Sequence, residues 1–254
     1  MHPLRISLIT YNIWSDHRWD FRKDALQQFL EIFTPDILCL QELQADSREL
    51  IDETLLSHRR VEDDFQGWTT ESNVYWRESL FSEIEHGAED VGIKEAGLRR
   101  LYWVRLKVAD SDRSILVGTA HLTHQRHPEE CKTGQSPRVA ETRRIVEELK
   151  RLNRKREALF FMGDMNDPVH PPNMLASAGY TSCFAALGIA AAPTFKVYPT
   201  AGVAPGALPI TQCVDWLVAN DEARAVSAST PHFFHDDAAP SDHWPVQAVY
   251  ELPL

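Results

Sequence analysis

The sequence predicts an α+β fold in which two β-sheets pack face to face and helices cover their outer surfaces. Short apolar runs with the length and branching of buried strands recur along the chain, and segments with apolar residues at helical spacing stand between them. Strands this apolar must be covered, which favours helices packed outside the sheets. No internal repeat, low-complexity tract or linker divides the sequence, so residues 1–254 are predicted to form a single domain.

The first half of the chain is predicted to begin with a strand over residues 4–12. Residues 20–33 carry apolar side chains at helical spacing, with Asp20 as a candidate N-cap, so a helix follows. Pro35 ends that helix, and residues 36–40 return to an extended apolar run. The other elements predicted in this half are a helix over 46–57 and strands over 66–78, 80–86 and 99–109.

The second half is predicted to begin with a strand over residues 115–121. A polar loop over 123–137 leads into a helix over 138–155, whose apolar residues recur on one face. Residues 193–211 contain four prolines and are predicted to form a long irregular loop. The other elements predicted in this half are strands over 158–162, 214–218 and 246–252 and a short helix over 172–178.

The charge balance limits the kind of substrate that the protein can bind. The chain has 37 acidic and 26 basic residues, which gives a formal net charge of −11. Proteins that bind long polyanions do so through Lys and Arg, with release of counterions. A broad nucleic-acid-binding surface is therefore not expected, and a short or small phosphorylated substrate fits better.

The cysteines and the hydropathy pattern indicate the compartment. None of the four cysteines has the CxxC spacing of a metal site, and free thiols in a reducing compartment are expected. No hydrophobic leader precedes the first predicted strand, and no apolar stretch reaches the ~20 residues that a membrane span needs. A cytoplasmic protein without stable membrane insertion and without an obligate protein partner is predicted.

Six short polar motifs lie at or beside the apolar runs. A polar residue where a buried strand ends lies at the rim of a sheet, so the motifs predict one site assembled from the whole chain. Carboxylate, amide and imidazole groups together suit a hard divalent metal ion and a phosphate group. The motifs are Thr10-Tyr11-Asn12, Gln41-Glu42, His121-Leu122, Gly163-Asp164-Met165-Asn166, Asp215-Trp216 and Ser241-Asp242-His243.

This ordered set resembles the endonuclease/exonuclease/phosphatase superfamily, from Asn12 through His243. The resemblance implies a four-layer α/β/β/α sandwich of the DNase I type, with two mainly antiparallel sheets and outer helices. It also implies a phosphoesterase that depends on Mg²⁺, with Mn²⁺ as an alternative. The expected reaction is hydrolysis of a phosphodiester bond, in a nucleic-acid end or another short substrate, by metal-assisted in-line attack of water.

The same resemblance implies a role for each matched carboxylate and amide. Glu42 is the expected main metal ligand, and Asn12 and Asp242 are further candidate ligands. Asp164 is expected to orient or deprotonate the attacking water, and Asn166 to hydrogen-bond a phosphate oxygen. Asp164 and Asn166 are two residues apart, so both side chains share a face if the chain there is extended.

Two histidines are expected to donate to phosphate oxygens. An Asp215 carboxylate beside His243 would fix the tautomer of that ring and favour its charged form. His121 is the second expected donor, in the segment Gly118–Leu122, which resembles tyrosyl-DNA phosphodiesterases, sphingomyelinases, inositol polyphosphate 5-phosphatases and deadenylases. Whether Asp164 or His243 is the base stays open, because the two groups can titrate as a coupled unit.

Trp14, Arg126 and Trp244 are the candidate substrate-binding residues. Trp14 could stack on a base, with plain packing as an alternative of at least equal weight. Arg126 belongs to a basic loop segment that could hold a further phosphate, with a solvated loop as an equal alternative. The substrate stays open, and the alternative to a phosphodiesterase is a phosphatase or phospholipase-type hydrolase of a small metabolite or lipid headgroup. An inactive binding scaffold is a minor alternative, because every matched catalytic position holds a competent residue.

Overall fold

The computed structural model describes residues 3–93, 99–153, 157–196 and 211–253, which form two six-stranded sheets. The first sheet contains, in spatial order, Arg224–Ser229 (β11), Val246–Leu252 (β12), Leu4–Asn12 (β1), Ile37–Gln41 (β2), Ser72–Arg77 (β4) and His58–Arg60 (β3). The second contains Phe81–Asp90 (β5), Arg100–Val108 (β6), Ser114–His121 (β7), Ala158–Asp164 (β8), Asp215–Ala219 (β10) and Thr181–Ser182 (β9).

Helices flank the two sheets, which confirms the predicted α/β/β/α sandwich. Their bounds are Trp19–Phe33 (α1), Ala45–Thr54 (α2), Gly67–Thr70 (α3), Pro128–Thr133 (α4), Pro137–Leu152 (α5), His170–Ser177 (α6) and Cys183–Ala186 (α7). Helix α1 buries Leu26 and Phe29 against Ile9 and Leu38 on the outer face of the first sheet. Burial of each such side chain contributes ~1.5–3 kcal/mol, so this face holds α1 in place.

The core between the sheets comes from alternate residues of the same strands. Ile6, Leu8 and Cys39 of the first sheet share an apolar cluster with Val104 and Leu116 of the second. Because side chains of a strand alternate between its two faces, β1 packs on α1 with one set and on the second sheet with the other. This explains why β1 and β2 are apolar on both faces.

One parallel pair in each sheet brings the polar motifs to a common rim. Most neighbouring strands are antiparallel, but β1 runs parallel to β2 and β7 runs parallel to β8. The register places Asn12 opposite Gln41 and His121 opposite Asp164, so the carboxyl ends of these strands lie together. Strand β10 is antiparallel to β8 and starts where β8 ends, with Asp215 opposite Asp164.

Some predicted elements are wrong in extent. The predicted strand over 66–78 begins with the helical turn α3, because the carbonyl of Gln66 accepts the amides and hydroxyls of Thr69 and Thr70. The helix predicted over 46–57 ends at Thr54, and α4 lies inside the predicted loop 123–137. Strand β11 was not predicted, because its alternating small and polar residues give little apolar signal.

Two other predictions reach residues that the structure leaves undescribed. The last two residues of the helix predicted over 138–155 lie outside the described ranges, as does 197–210 of the predicted loop 193–211. In the described part of the chain, no helix combines the length and apolarity that crossing a lipid bilayer requires.

Candidate active site

The rim shared by the two sheets gathers the predicted polar side chains. Asn12 ends β1, Glu42 follows β2, His121 ends β7, Asp164 ends β8 and Asp215 begins β10. All but Glu42 and His121 are nearly fully buried. Each group lies where a buried strand meets the rim, so the sheets themselves set the geometry of the cluster.

The Asn12 amide joins two carboxylates across the sandwich. Its Nδ2 donates to Oε1 of Glu42 at 3.0 Å and to Oδ2 of Asp164 at 3.0 Å. Its Oδ1 accepts from the backbone amide of Trp14 at 3.0 Å, which fixes the orientation of the side chain. In this arrangement the NH₂ group of Asn12 faces the two carboxylates. A metal ion would bind Oδ1 instead, and that oxygen accepts from the Trp14 amide.

Glu42 adopts an uncommon backbone conformation, and Gln41 before it fixes the end of β2. The φ of Glu42 is 58°, in the left-handed region that non-glycine residues occupy mainly where the surroundings impose it. The buried Gln41 side chain donates to Thr10 Oγ1 at 3.1 Å and to Thr119 Oγ1 at 2.9 Å. Thr119 belongs to the second sheet, so Gln41, the residue before Glu42, links the two sheets.

Asp164 is held by its own loop. Its Oδ1 accepts from the Asn166 amide at 2.9 Å, and its Oδ2 accepts from Asn166 Nδ2 at 3.3 Å. Gly163 makes this turn possible, because a Cβ at that position would lie 2.0 Å from the carbonyl oxygen of Ala120. The chain after Asp164 is not extended, since Asn166 has a φ of 49°, but Asn166 still lies against Asp164 and donates to the carbonyl of Leu122 at 3.0 Å.

His243 and Asp215 form the predicted imidazole–carboxylate pair. Nδ1 of His243 lies 2.8 Å from Oδ2 of Asp215, and its Nε2 points toward Oδ2 of Asp164 at 3.8 Å. Burial alone would lower the pKa of His243, but Asp215 and Asp164 outweigh it and raise that pKa to about 10. Burial also raises the pKa of Asp215, which His243 opposes. The pair therefore carries a ring that favours its charged, donating form.

A second imidazole–carboxylate pair lies on the other side of Asp164. His121 Nδ1 lies 3.4 Å from Oε1 of Glu71, and its Nε2 lies 3.5 Å from Oδ2 of Asp164 and 3.9 Å from Oε1 of Glu42. Burial would lower the pKa of His121, but Glu71, Asp164 and Glu42 raise it. Both ring Nε2 atoms thus face the same carboxylate oxygen.

Glu71 and the segment Thr194–Phe195 were missed by sequence reasoning. Glu71 precedes a strand instead of ending one, so its position carried no local signal. Thr194 Oγ1 accepts the amide of Asp215 at 3.1 Å, its carbonyl accepts the amide of Trp244 at 2.7 Å, and the Phe195 ring lies 4.7 Å from the His243 ring. A proline-rich stretch before Asp215 suggested only a loop.

The chemistry of the cluster fits a divalent cation. Asp164, Asp215 and His243 offer ligand atoms within 4.8 Å of one another, and Glu42 and Asp242 lie beside them. Burial raises the pKa of Asp242; His243 opposes this rise, and the Glu42 and Asp164 carboxylates add to it. No side chain in the described residues donates a hydrogen bond to Asp242. Crowded oxygen donors with excess negative charge suit a hard cation such as Mg²⁺.

The three predicted substrate-binding residues occupy different surroundings. Trp14 is partly exposed at the rim, with its ring 5.8 Å from that of His17. Arg126 is exposed in the loop after β7. Trp244 is 7% exposed and stacks on His232 at 4.6 Å, so its ring is engaged in packing. Trp14 and Arg126 are therefore the accessible members of the set.

Solved structures of other proteins share the fold of this chain. No curated protein matches the chain. An endonuclease/exonuclease/phosphatase family protein of Bacteroides thetaiotaomicron has a similar structure, with a TM-score of 0.80, 19% identity and full coverage of both chains. A mannosyl-6-phosphatase of the same organism has a TM-score of 0.78 and 17% identity, and the match covers 96% of this chain and 99% of the phosphatase chain. TDP2 of D. rerio, complexed with single-strand DNA product, has a TM-score of 0.77 and 17% identity, and the match covers 97% of this chain and 98% of the TDP2 chain.

A family model also matches the sequence over the residues that form the site. The model of the Endonuclease/Exonuclease/phosphatase family matches residues 9–243, a span that includes every side chain of the rim cluster. The chain therefore belongs to the Endonuclease/Exonuclease/phosphatase family, whose members hydrolyse phosphoester bonds.

Proposed function

We propose that the protein is a Mg²⁺-dependent hydrolase that cleaves a phosphodiester bond in a nucleic-acid end or another short substrate. The observation that carries the proposal is the convergence of two ring nitrogens on one carboxylate. Nε2 of His121 and Nε2 of His243 lie 3.5 and 3.8 Å from Oδ2 of Asp164. A phosphoryl group placed between them would have hydrogen-bond donors on two sides and a carboxylate at the attacking side.

Asp164 is the proposed base. It would orient a water molecule for in-line attack on phosphorus and accept the proton that this water loses as the new P–O bond forms. The bond from phosphorus to the leaving oxygen breaks in the same step, and the leaving oxygen takes its proton from solvent. General-base assistance of this kind contributes ~10²–10⁴-fold to a rate.

His121, His243 and Asn166 are the proposed donors to the phosphoryl oxygens. Each ring is paired through Nδ1 with a carboxylate, His121 with Glu71 and His243 with Asp215, which leaves Nε2 as the donor toward substrate. Donors already in place where charge develops stabilise a transition state without reorganisation. Asn166 Nδ2 is the third proposed donor. Its two hydrogens are engaged by the Leu122 carbonyl at 3.0 Å and by Asp164 at 3.3 Å, so it would reach the substrate by releasing the longer bond to Asp164.

Glu42 is the proposed main ligand of the metal ion, with Asp242 as a further ligand, and Mn²⁺ is the alternative ion. Asn12 joins these two carboxylates as a ligand only when its amide turns so that Oδ1 leaves the Trp14 amide and faces the ion. A bound Mg²⁺ would polarise the phosphoryl group and stabilise charge on the leaving oxygen. Two features support Glu42 over the Asp215–His243 pair. The carboxylate of Glu42 is partly exposed at the rim, whereas Asp215 and His243 are buried and engaged with each other.

A phosphatase acting on a small phosphorylated metabolite is the second candidate. The net charge of −11 favours it, because an acidic protein makes few of the Lys and Arg contacts that long nucleic acids need. The similar solved structures include both kinds of protein, a TDP2 with single-strand DNA product and a mannosyl-6-phosphatase. Trp14 and Arg126 at the rim are the proposed contacts for the rest of the substrate.

A substrate panel tests the proposal. The purified protein is assayed with Mg²⁺, with Mn²⁺ and with EDTA on bis-p-nitrophenyl phosphate, p-nitrophenyl phosphate, a 5′-phosphotyrosyl oligonucleotide, single-stranded DNA and RNA, mannose 6-phosphate and sphingomyelin. Metal-dependent cleavage of a diester is the expected result. Turnover of monoesters alone would move the protein to the phosphatase candidate, and turnover that persists in EDTA would contradict the metal requirement.

A further inference from the structure

Arg22 is a buried cation beside the site that the proposed chemistry leaves unused. It lies in the first turn of α1, is 1% exposed, and points back toward the residues before its helix. All of its hydrogen-bond acceptors are main-chain carbonyls. Nε donates to His17 at 2.7 Å, Nη1 to Pro240 at 2.9 Å, and Nη2 to Trp14 at 3.0 Å and to Ser15.

These bonds join two segments that are far apart in sequence. Residues 14–17 follow Asn12 with only Ile13 between them, whereas Pro240 directly precedes the run Ser241-Asp242-His243. Arg22 thus forms a joint between residues 14–17 and Pro240. Next to this joint, Ser241 Oγ donates to the carbonyl of Asn12 at 2.6 Å. The segments that Arg22 ties together therefore contain Trp14, a proposed substrate contact, and adjoin Asn12 on one side and Asp242 and His243 on the other.

The segment after Asn12 needs support to keep its conformation. Trp14 has a φ of 61° and Ser15 a φ of 49°, both in the left-handed region that is unfavourable for residues with a side chain. Arg22 donates to the carbonyls of both residues. Its guanidinium carbon also lies 5.6 Å from the ring centre of Trp14 and 5.3 Å from that of Trp19, within cation–π range.

We propose that Arg22 is a positioning residue, which sets Asn12 and the Asp242–His243 segment relative to each other by tying residues 14–17 to Pro240. A general stabilising role would not require bonds that bridge these two segments. A lysine cannot replace it, because three donors on one nitrogen do not reach carbonyls on both sides of the joint. The effect on turnover rests on the proposed function, whereas the joint itself does not.

The test compares Arg22→Lys and Arg22→Ala with a matched control, Arg105→Lys. Arg105 is also buried and charged, and it bonds Glu157, at the start of the strand whose other end carries Asp164. Hydrogen–deuterium exchange is followed in peptides covering 13–18 and 239–244, and kcat and KM are measured on the best substrate of the panel. Melting temperatures are recorded for all variants.

In Arg22→Lys, exchange is expected to rise about 10-fold in both peptides, the effect of losing one or two hydrogen bonds. Arg105→Lys is expected to leave the exchange of both peptides unchanged. A misplaced catalytic group costs up to ~10²-fold, so kcat is expected to fall about 10- to 100-fold with a smaller change in KM. Arg22→Ala is expected to show larger effects, and if it does not fold, Arg22→Lys decides.

Three results would overturn the inference. Exchange that rises in only one of the two peptides would show that Arg22 does not join them. A rise spread evenly over the whole chain would show general destabilisation. Faster exchange in both peptides with an unchanged kcat would show that the joint does not position the catalytic groups. If wild-type protein hydrolyses no phosphoester, the proposed function fails, while the exchange data still decide whether the joint exists.

Discussion

Asn12 and Asp164 lie 152 residues apart in the sequence, yet Nδ2 of Asn12 donates to Oδ2 of Asp164 at 3.0 Å. The bond crosses from the first sheet to the second. It places the residues of the first sheet within reach of a carboxylate whose loop belongs to the second. The site therefore forms only when the two sheets pack in this register.

Asn12→Asp is expected to destabilise the protein more than Asn12→Ala in metal-free buffer. The substitution replaces a donor shared by Glu42 and Asp164 with a third carboxylate, and an unsatisfied buried polar group costs ~1–3 kcal/mol. Thermal melts in EDTA measure the difference. An Asn12→Asp protein that melts at the wild-type temperature under these conditions would argue against the bridging role.

Glu71→Gln is expected to lower kcat about 10- to 100-fold while the protein stays folded, because His121 loses the charge that keeps it a donor. The control is Glu78→Gln, which changes an exposed glutamate at the opposite end of the same strand, β4. Steady-state kinetics on both variants provide the test. Equal kcat values for Glu71→Gln and the control would remove Glu71 from the account.

Glu42→Gln is expected to raise the Mg²⁺ concentration needed for half-maximal activity by about 10- to 100-fold or more, since even indirect changes at metal sites cost that much affinity. Calorimetric titration of Mg²⁺ gives a readout independent of turnover. Glu53→Gln, at an exposed position on α2, serves as the control. A metal titration curve identical to that of the wild type would take Glu42 out of the metal site.

Because of His58, the free energy of unfolding is expected to decrease as the pH falls. Burial lowers the pKa of His58, partly opposed by the Pro35 carbonyl 2.6 Å from its Nε2. The unfolded chain then binds the extra proton at a higher pH than the native protein does. The free energy of unfolding should decrease once the pH falls through the ordinary histidine value of about 6.5.

The His58 prediction is checked with urea unfolding of wild type and His58→Gln between about pH 8 and 5. The variant is expected to be less stable at pH 8, where it has lost the imidazole contacts, and to show a shallower decline toward pH 5. Because the other histidines are common to both proteins, the difference between the two curves isolates His58. Parallel curves would contradict the prediction.

The strand ends explain why most of the rim could be predicted. Asn12, His121 and Asp164 each end an apolar run, and a buried strand that stops at a polar residue must stop at an edge. The two parallel pairs could not be read from the runs themselves, although they are what brings Asn12 beside Gln41 and His121 beside Asp164.

What could not be predicted depends on contacts between distant segments. Glu71 stands before β4 and becomes a site residue only because His121 packs against it from the other sheet. Arg22 looks like one polar position of an amphipathic helix, since the carbonyls that it meets come partly from Pro240. Trp244 follows His243 in sequence, but its ring is buried against His232.

The most direct test of the account is the kcat of Asp164→Asn on the best substrate of the panel, measured beside Asp36→Asn. Asp36 accepts hydrogen bonds from Ser7 and Arg77 at the opposite end of β2 from Glu42, so it controls for loss of a structural carboxylate. For Asp164→Asn, kcat is expected to fall ~10²-fold or more, and the control is expected to keep the wild-type kcat. Full activity in a folded Asp164→Asn protein would contradict it.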